Sequence, residues 1–149
     1  MHRTIRRTAA LLALAALPAL SACSNGAGEV AKIQPAKVVK IEGTDTQRVE
    51  LTERAAQRIG IETTTVKTAT GPQAGHTVVP YAAMIYDADG QASVYTNPAP
   101  LSFVRKSITV STIEGDSVYL IDGPPAGTTV VTVGTAELFG TETGIGEFE

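Results

Sequence analysis

The chain has 149 residues, 12 basic and 15 acidic, with a formal net charge of −3 and a single cysteine. No basic excess is present to meet a nucleic-acid backbone, and one cysteine excludes intrachain disulfides and cysteine-framed metal sites. Aromatics are 5% of the chain and tryptophan is absent.

Arg3, Arg6 and Arg7 precede an apolar run from Ala9 to Leu20 that only Pro18 interrupts. A basic start, a short apolar stretch and small residues at its end describe a secretory signal. The run is too short to span a bilayer, which takes about 20 apolar residues. Leu20-Ser21-Ala22-Cys23 then resembles the bacterial lipobox. That resemblance implies a diacylglyceryl thioether on Cys23 and cleavage that leaves Cys23 as the new N-terminus. An ordinary secretory signal that happens to end beside a cysteine is the alternative; order, spacing and cysteine count favour the lipobox. Arg6-Arg7 suggests twin-arginine export, but Thr8-Ala9-Ala10 lacks the usual continuation.

Residues 1–22 are therefore set aside as a signal peptide. Residues 23–149 carry a net charge of −6 and no polybasic patch for anionic lipid. Attachment to the membrane is expected through the lipid on Cys23, at about 0.8 kcal/mol per buried CH₂. The expected location is the extracytoplasmic face of the cell membrane. With Cys23 acylated, no thiol remains for a metal or a nucleophile.

Residues 23–45 hold Gly26, Gly28 and Pro35 with little periodicity, and read as a flexible tether. Folded structure is expected to start near Val38 or Thr46, and the domain is taken as 46–140, one small unit. Arg48 to Leu51 alternates as a strand does. Thr52 is placed to cap a short helix, with Glu53 in its first turn and Gly60 beyond its end. Leu51 and Ala56 are spaced as a hydrophobic staple, and Ala55, Ala56 and Ile59 share a face. Ile61 to Val66 is threonine-rich and strand-like. His76 to Val79 leads into Pro80. Residues 83–86 and 92–95 flank Asp87-Ala88-Asp89-Gly90 as a hairpin. Phe103, Ile108 and Val110 read as one strand running to Glu114-Gly115-Asp116, and Ser117 to Ile121 returns as a second hairpin. Residues 122–127 are a dense turn. Thr129 to Val133 is the most buried-looking strand. Ala136 to Phe139 is a short amphipathic or irregular piece, and residues 141–149 read as a flexible tail. The expected fold is mainly β: a small β-roll or barrel-like domain of six to seven short strands with one short helix.

Residues 47–67 resemble the opening of periplasmic adaptor proteins, also called membrane fusion proteins, of RND-type and ABC-type efflux systems. The matching elements are Leu51, the alanine-rich helix, Ile59-Gly60-Ile61, Thr63 and Val66. A second match starts at Val79-Pro80-Tyr81-Ala82-Ala83 and takes in the Asp89-Gly90 turn, Val94-Tyr95, Phe103 and Val110. It continues through the Glu114-Gly115-Asp116 turn and Gly123 to Gly134, and closes at Ala136 to Gly140. In that family the two pieces form the membrane-proximal domain, one before and one after the rest of the molecule. Here Lys67 to Gly75 spans the gap where a full adaptor inserts a β-barrel domain, a lipoyl-like domain and usually a helical hairpin. The resemblance covers about 95 of the 127 residues from Cys23 onward, and rests on turns and apolar positions. It implies that the two pieces fold as one sheet, with 46–66 pairing against strands of the second piece.

Catalytic chemistry has no footing in the sequence. Asp87, Asp89, Glu114 and Asp116 fall in predicted turns, where such side chains bond locally to backbone. His76, the one histidine after the signal, reads as a strand-edge residue, and Met84 as a core filler. Residues 123–127 lack the ending of a phosphate loop. The four tyrosines read as mostly half-buried strand residues. Arg105-Lys106, the one adjacent basic pair beyond the signal, is either a contact for an acidic partner or a solvated strand edge that discourages aggregation. The expected protein is non-enzymatic, with no metal and no cofactor. It is a lipid-anchored, adaptor-like accessory of a membrane efflux transporter or permease, with no nucleic-acid partner. The alternative is a stand-alone ligand- or cell-wall-binding lipoprotein, which would carry a cleft of at least about 300 Å³ with convergent polar groups. A docking module would instead show an exposed apolar patch.

Overall fold

The computed structural model describes residues 34–44 and 46–144. The signal peptide, Cys23 and most of the expected tether lie outside them. The domain is mainly β, with eleven strands in two antiparallel sheets and two α-helices.

β1 (Ala36–Lys40) and β2 (Gln47–Leu51) form the first hairpin, with Ala36 opposite Leu51. β1 lies inside the stretch read as tether; its exposed and half-buried residues gave no core signal, and only pairing with β2 makes it a strand. α1 (Glu53–Ile59) follows, and its ends are set locally. The Thr52 hydroxyl accepts from the Ala55 N–H at 3.2 Å, and Gly60 closes the helix at φ 73°. The N–H of Thr52 in turn donates to the Pro35 carbonyl at 3.0 Å, tying the start of the folded chain to the helix.

β3 (Glu62–Thr65) and the two-residue β4 (Lys67–Thr68) are separated by Val66, where the chain leaves one sheet for the other. β5 (Thr77–Pro80) returns along β4, and a single 3₁₀ turn at Tyr81–Ala83 carries the chain back to β6 (Met84–Tyr86). β7 (Ala92–Ala99) pairs with β6 as the expected hairpin, Tyr86 opposite Ala92. β8 (Ser102–Ser107) and β9 (Thr109–Glu114) divide the single strand expected through 103–114. The break is at Ile108, where the chain crosses again between sheets. β10 (Ser117–Asp122) forms the second hairpin with β9. β11 (Thr129–Val133) and α2 (Thr135–Thr143) complete the chain. The piece expected to be short or irregular is thus a full helix, and it takes in Thr141 to Thr143 of the expected tail.

One sheet has seven strands, in the order β1-β2-β8-β7-β11-β3 with β6 also on β7; the other has four, β4-β5-β10-β9. The two sequence pieces meet in the larger sheet. β2 pairs with β8 (Val49 opposite Phe103), and β3 pairs with β11 (Val131 opposite Thr63). Its central strands alternate between two cores. Val94 and Val130 join Val66, Val79, Val118 and Leu120 between the sheets. Tyr95 and Val131 join Val49, Leu51, Phe103 and Leu138 beneath the helices. Gly134, at φ 95°, lets the chain turn from β11 into α2 against α1's end; a Cβ there would overlap Ile59 and Ile61.

Candidate functional site

Of the four acidic turn residues, Asp87 makes the expected local side-chain bonds to backbone. The Asp87 carboxylate accepts from the N–H groups of Asp89 and Gln91 at 3.0 and 2.8 Å. Glu114 accepts from the Gln73 side chain at 3.0 Å, and the Asp116 carbonyl accepts from the Tyr81 N–H at 2.8 Å. His76 sits half-buried just before β5, its Nδ1 at 3.1 Å from the Leu120 carbonyl. Met84 is half-buried against the inter-sheet core. Among the described residues, no three His, Cys, Asp or Glu side chains are grouped to hold a metal ion. No described helix is long and apolar enough to cross a membrane.

The tyrosines divide. Tyr81 and Tyr86 are exposed, Tyr119 is half-buried and Tyr95 is fully enclosed. Enclosure forces a partner on the Tyr95 hydroxyl, which donates to Glu142 Oε2 at 2.5 Å. Glu142 is itself nearly buried, and Arg105 Nε bonds both of its carboxylate oxygens at 3.1 Å. Arg105 also lies 3.9 Å from the Asp87 carboxylate and 5.5 Å above the ring of Phe139. Burial, then the hydrogen bond to Glu142 and its charge, push the Tyr95 hydroxyl far above its ordinary range; Arg105 offsets part of this. The hydroxyl therefore stays protonated and fastens the last turn of α2 to the sheet.

This network accounts for Arg105 but not for Lys106. β8 lies between β2 and β7, but its pairs with β2 end at Val104, so Arg105 and Lys106 are laddered to β7 alone. Arg105 faces the helix layer and is taken up by Glu142, so it is not offered to a partner. Lys106 belongs to the opposite face and is exposed. Sequence spacing carried no sign of the Tyr95–Arg105–Glu142 group, because Glu142 lies 47 positions from Tyr95 and 37 from Arg105.

Two further places have a shape suited to function. The first is the β4–β5 hairpin, which spans the gap between the two sequence pieces. Lys67 pairs with Val78 and Thr68 with Thr77; beyond them the Ala69 N–H donates to the His76 carbonyl at 2.9 Å. Its tip is one 3₁₀ turn at Gly71–Gln73, exposed apart from the half-buried Gln73. The second is a cleft of about 420 Å³ at the end of the inter-sheet space, bordered by Thr96, Lys106, Ser107, Asp122 and Thr128. Its size passes the limit set above for a ligand site. Exposed large apolar side chains include Val38 on β1, Ile113 on β9, Ile121 on β10 and Val133 on β11. They stand on different strands of both sheets.

Comparison with protein-family models, with curated proteins and with solved structures finds no match.

Proposed function

We propose that this is a lipid-anchored, non-catalytic module on the extracytoplasmic face of the cell membrane that docks on a membrane efflux transporter or permease. One observation supports the reading more than any other. The two segments that resemble the halves of an adaptor's membrane-proximal domain meet in one sheet, through β2–β8 and β3–β11. The β4–β5 hairpin stands where an adaptor departs to its outer domains, and here it turns back at once. A module of this shape keeps the part that sits nearest the membrane and lacks the parts that reach away from it. Lipid on Cys23, followed by residues leading to Pro35 beside α1, would hold it at the bilayer.

The experiment is chemical crosslinking of the full chain in its native membranes, followed by identification of what it holds. The expected partner is a multispanning integral membrane protein. Cys23→Ala should release the protein into the soluble fraction and abolish the crosslink. A crosslink to soluble proteins alone, or an unmodified Cys23 thiol by mass spectrometry, would overturn the proposal.

A further inference from the structure

We propose that the cleft at the end of the inter-sheet space binds a small zwitterion of the amino-acid or short-peptide class. This goes beyond the docking role and concerns the feature that the ligand-binding alternative would carry.

The cleft follows from how the strands part. β7 and β8 lose register between Thr96 and Ala99, and Pro98 lies in that irregular stretch without an N–H to pair. β11 pairs with β7 through Val130 and Thr96, and no pairing with β7 continues past them. On the other side, β10 ends at Asp122 and the chain leaves through Gly123-Pro124-Pro125. A Cβ on Gly123 would come within 2.9 Å of Leu120 and 3.2 Å of Ile108, so glycine lets this turn close tightly over the core. Proline rings are stiff and bring no donor. Pro98, Pro124 and Pro125 therefore give the cleft fixed apolar walls. Thr96 is buried, and its hydroxyl is spent on the Val104 carbonyl at 3.0 Å.

The polar groups left over define the ligand. Lys106 and Asp122 both border the cleft, and neither forms an ion pair with the other or with another described residue. Ser107 and Thr128 add hydroxyls whose side chains bond no other described group. An unpaired cation and an unpaired anion on one opening call for a ligand with both charges. A simple anion would leave Asp122 unanswered, and a simple cation would leave Lys106 so. The lining holds no aromatic ring on which a sugar or a base would stack. The proline walls suit a short aliphatic side chain. A cleft of about 420 Å³ lies within the range that small-molecule sites occupy. Because Lys106 and Asp122 are exposed, each charge contact is weak, and millimolar affinity is the expected scale.

The test is an NMR titration of the isotopically labelled full chain in detergent micelles with L-alanyl-L-alanine. Saturable shift changes are expected at the amides of Thr96, Lys106, Ser107, Asp122 and Thr128. Lys106→Met and Asp122→Asn, both at exposed positions, should each weaken binding about two- to fivefold. So should N-acetylation of the dipeptide, which removes the ammonium, or amidation, which removes the carboxylate. Should one variant fail to fold, the other variant and the two capped peptides still decide. Absence of saturable shifts, or saturation at residues away from the cleft, would overturn the proposal. Equal affinity for the capped and free dipeptides would overturn the ligand class. Failure here leaves the docking role and its crosslinking test as they stand, whereas saturable binding in the cleft supports the ligand-binding alternative.

Discussion

Val130 and Val131 are neighbours on β11 and both are fully buried, yet each serves a different core. Val130 faces the four-stranded sheet, in a core of valine, leucine, isoleucine and alanine with no ionic group. Val131 faces the helices, where Tyr95 and Phe103 contribute aromatic bulk and an ion pair closes the margin. The sheet-to-sheet core is sealed by backbone ladders on both sides, since every strand that enters it is paired. The helix-to-sheet core has no such ladder on its outer side. Helices of seven and nine residues hold little structure alone, so side chains must supply the fastening. Ile59 and Ile61 do so by packing closely on Gly134, and Glu142 by charge and hydrogen bonds. The difference teaches where this fold is tied by backbone and where by side chains.

The strongest challenge to that contrast is removal of everything up to Gly60. It takes away β1, β2 and α1, and with them Val49, Leu51 and Ala55 of the helix-side core. The inter-sheet core loses none of its residues. Full burial of a Val or Leu side chain contributes about 1.5–3 kcal/mol, against a whole-domain stability of about 5–15 kcal/mol. The larger sheet also acquires a bare edge at β8. The remaining chain is expected to lose its cooperative melting transition. If residues 61–149 melt at the temperature of the intact protein, the two cores are independent units.

Val130→Ala and Val131→Ala sharpen the contrast. Each should cost about 2–3 kcal/mol by thermal or denaturant unfolding, the scale of large-to-small changes in a closed core. They should differ in what they loosen. Val131→Ala is expected to speed amide exchange in α2, which rests on that side chain's core. Val130→Ala should leave α2 exchange nearly unchanged. Matching exchange profiles would mean the sheet couples its two faces.

A smaller effect comes from the side-chain fastening. Tyr95→Phe keeps the ring and removes the hydrogen bond to Glu142, at an expected cost of about 1–2 kcal/mol at neutral pH. The sign of its pH dependence is fixed. The folded-state pKa of Tyr95 is raised, so its contribution is complete below the unfolded value near pH 10. Above that, the unfolded chain loses the proton while the folded chain keeps it. Stability from this group should then fall by about 1.4 kcal/mol per pH unit. The advantage of wild type over Tyr95→Phe should shrink above about pH 10 and stay constant below it. An advantage that is flat through pH 11, or one that shrinks toward acid, would remove the assigned role.

The same division decides what could be read from the sequence. Thr52 and Gly60 mark α1 because capping acts within four residues of the chain. The two hairpin turns, at Asp87 to Gly90 and at Gly115-Asp116, are equally local, and both form. Ile108 reads as part of one strand because an apolar residue between two β-like runs looks the same whether the chain continues or changes sheets. β1 was missed because an edge strand with one half-buried valine and one exposed valine carries no alternation to detect. β4, of two residues, is too short for any periodicity. The second helix has a weak start, with glycine where a capping side chain would stand. Glu142 could not be placed at all, since its meaning comes only from partners far away in the chain. Cys23, the one site residue drawn from the sequence, lies outside the described residues.

The mildest perturbation tests the backbone-tied side of the contrast. The β4–β5 hairpin belongs to the four-stranded sheet, and its tip at Gly71–Gln73 is joined to the rest of the domain by a side-chain hydrogen bond from Gln73 to Glu114. The strands below the tip are held by ladder pairs at Lys67–Val78 and Thr68–Thr77, and by the Ala69 to His76 hydrogen bond. Lengthening a flexible connection costs only about 0.6 kcal/mol per doubling of its length. A folded domain inserted after Pro72, with its own termini close together and short Gly-Ser joints, should therefore leave the host's melting temperature within a few degrees. A comparable insertion in the Gly134 turn should unfold α2, because that turn has no free space around it. If the hairpin insertion is the destabilising one, backbone pairing is not what secures that sheet. The place where the chain resembles an interrupted adaptor domain would then be a place where this domain does not accept interruption.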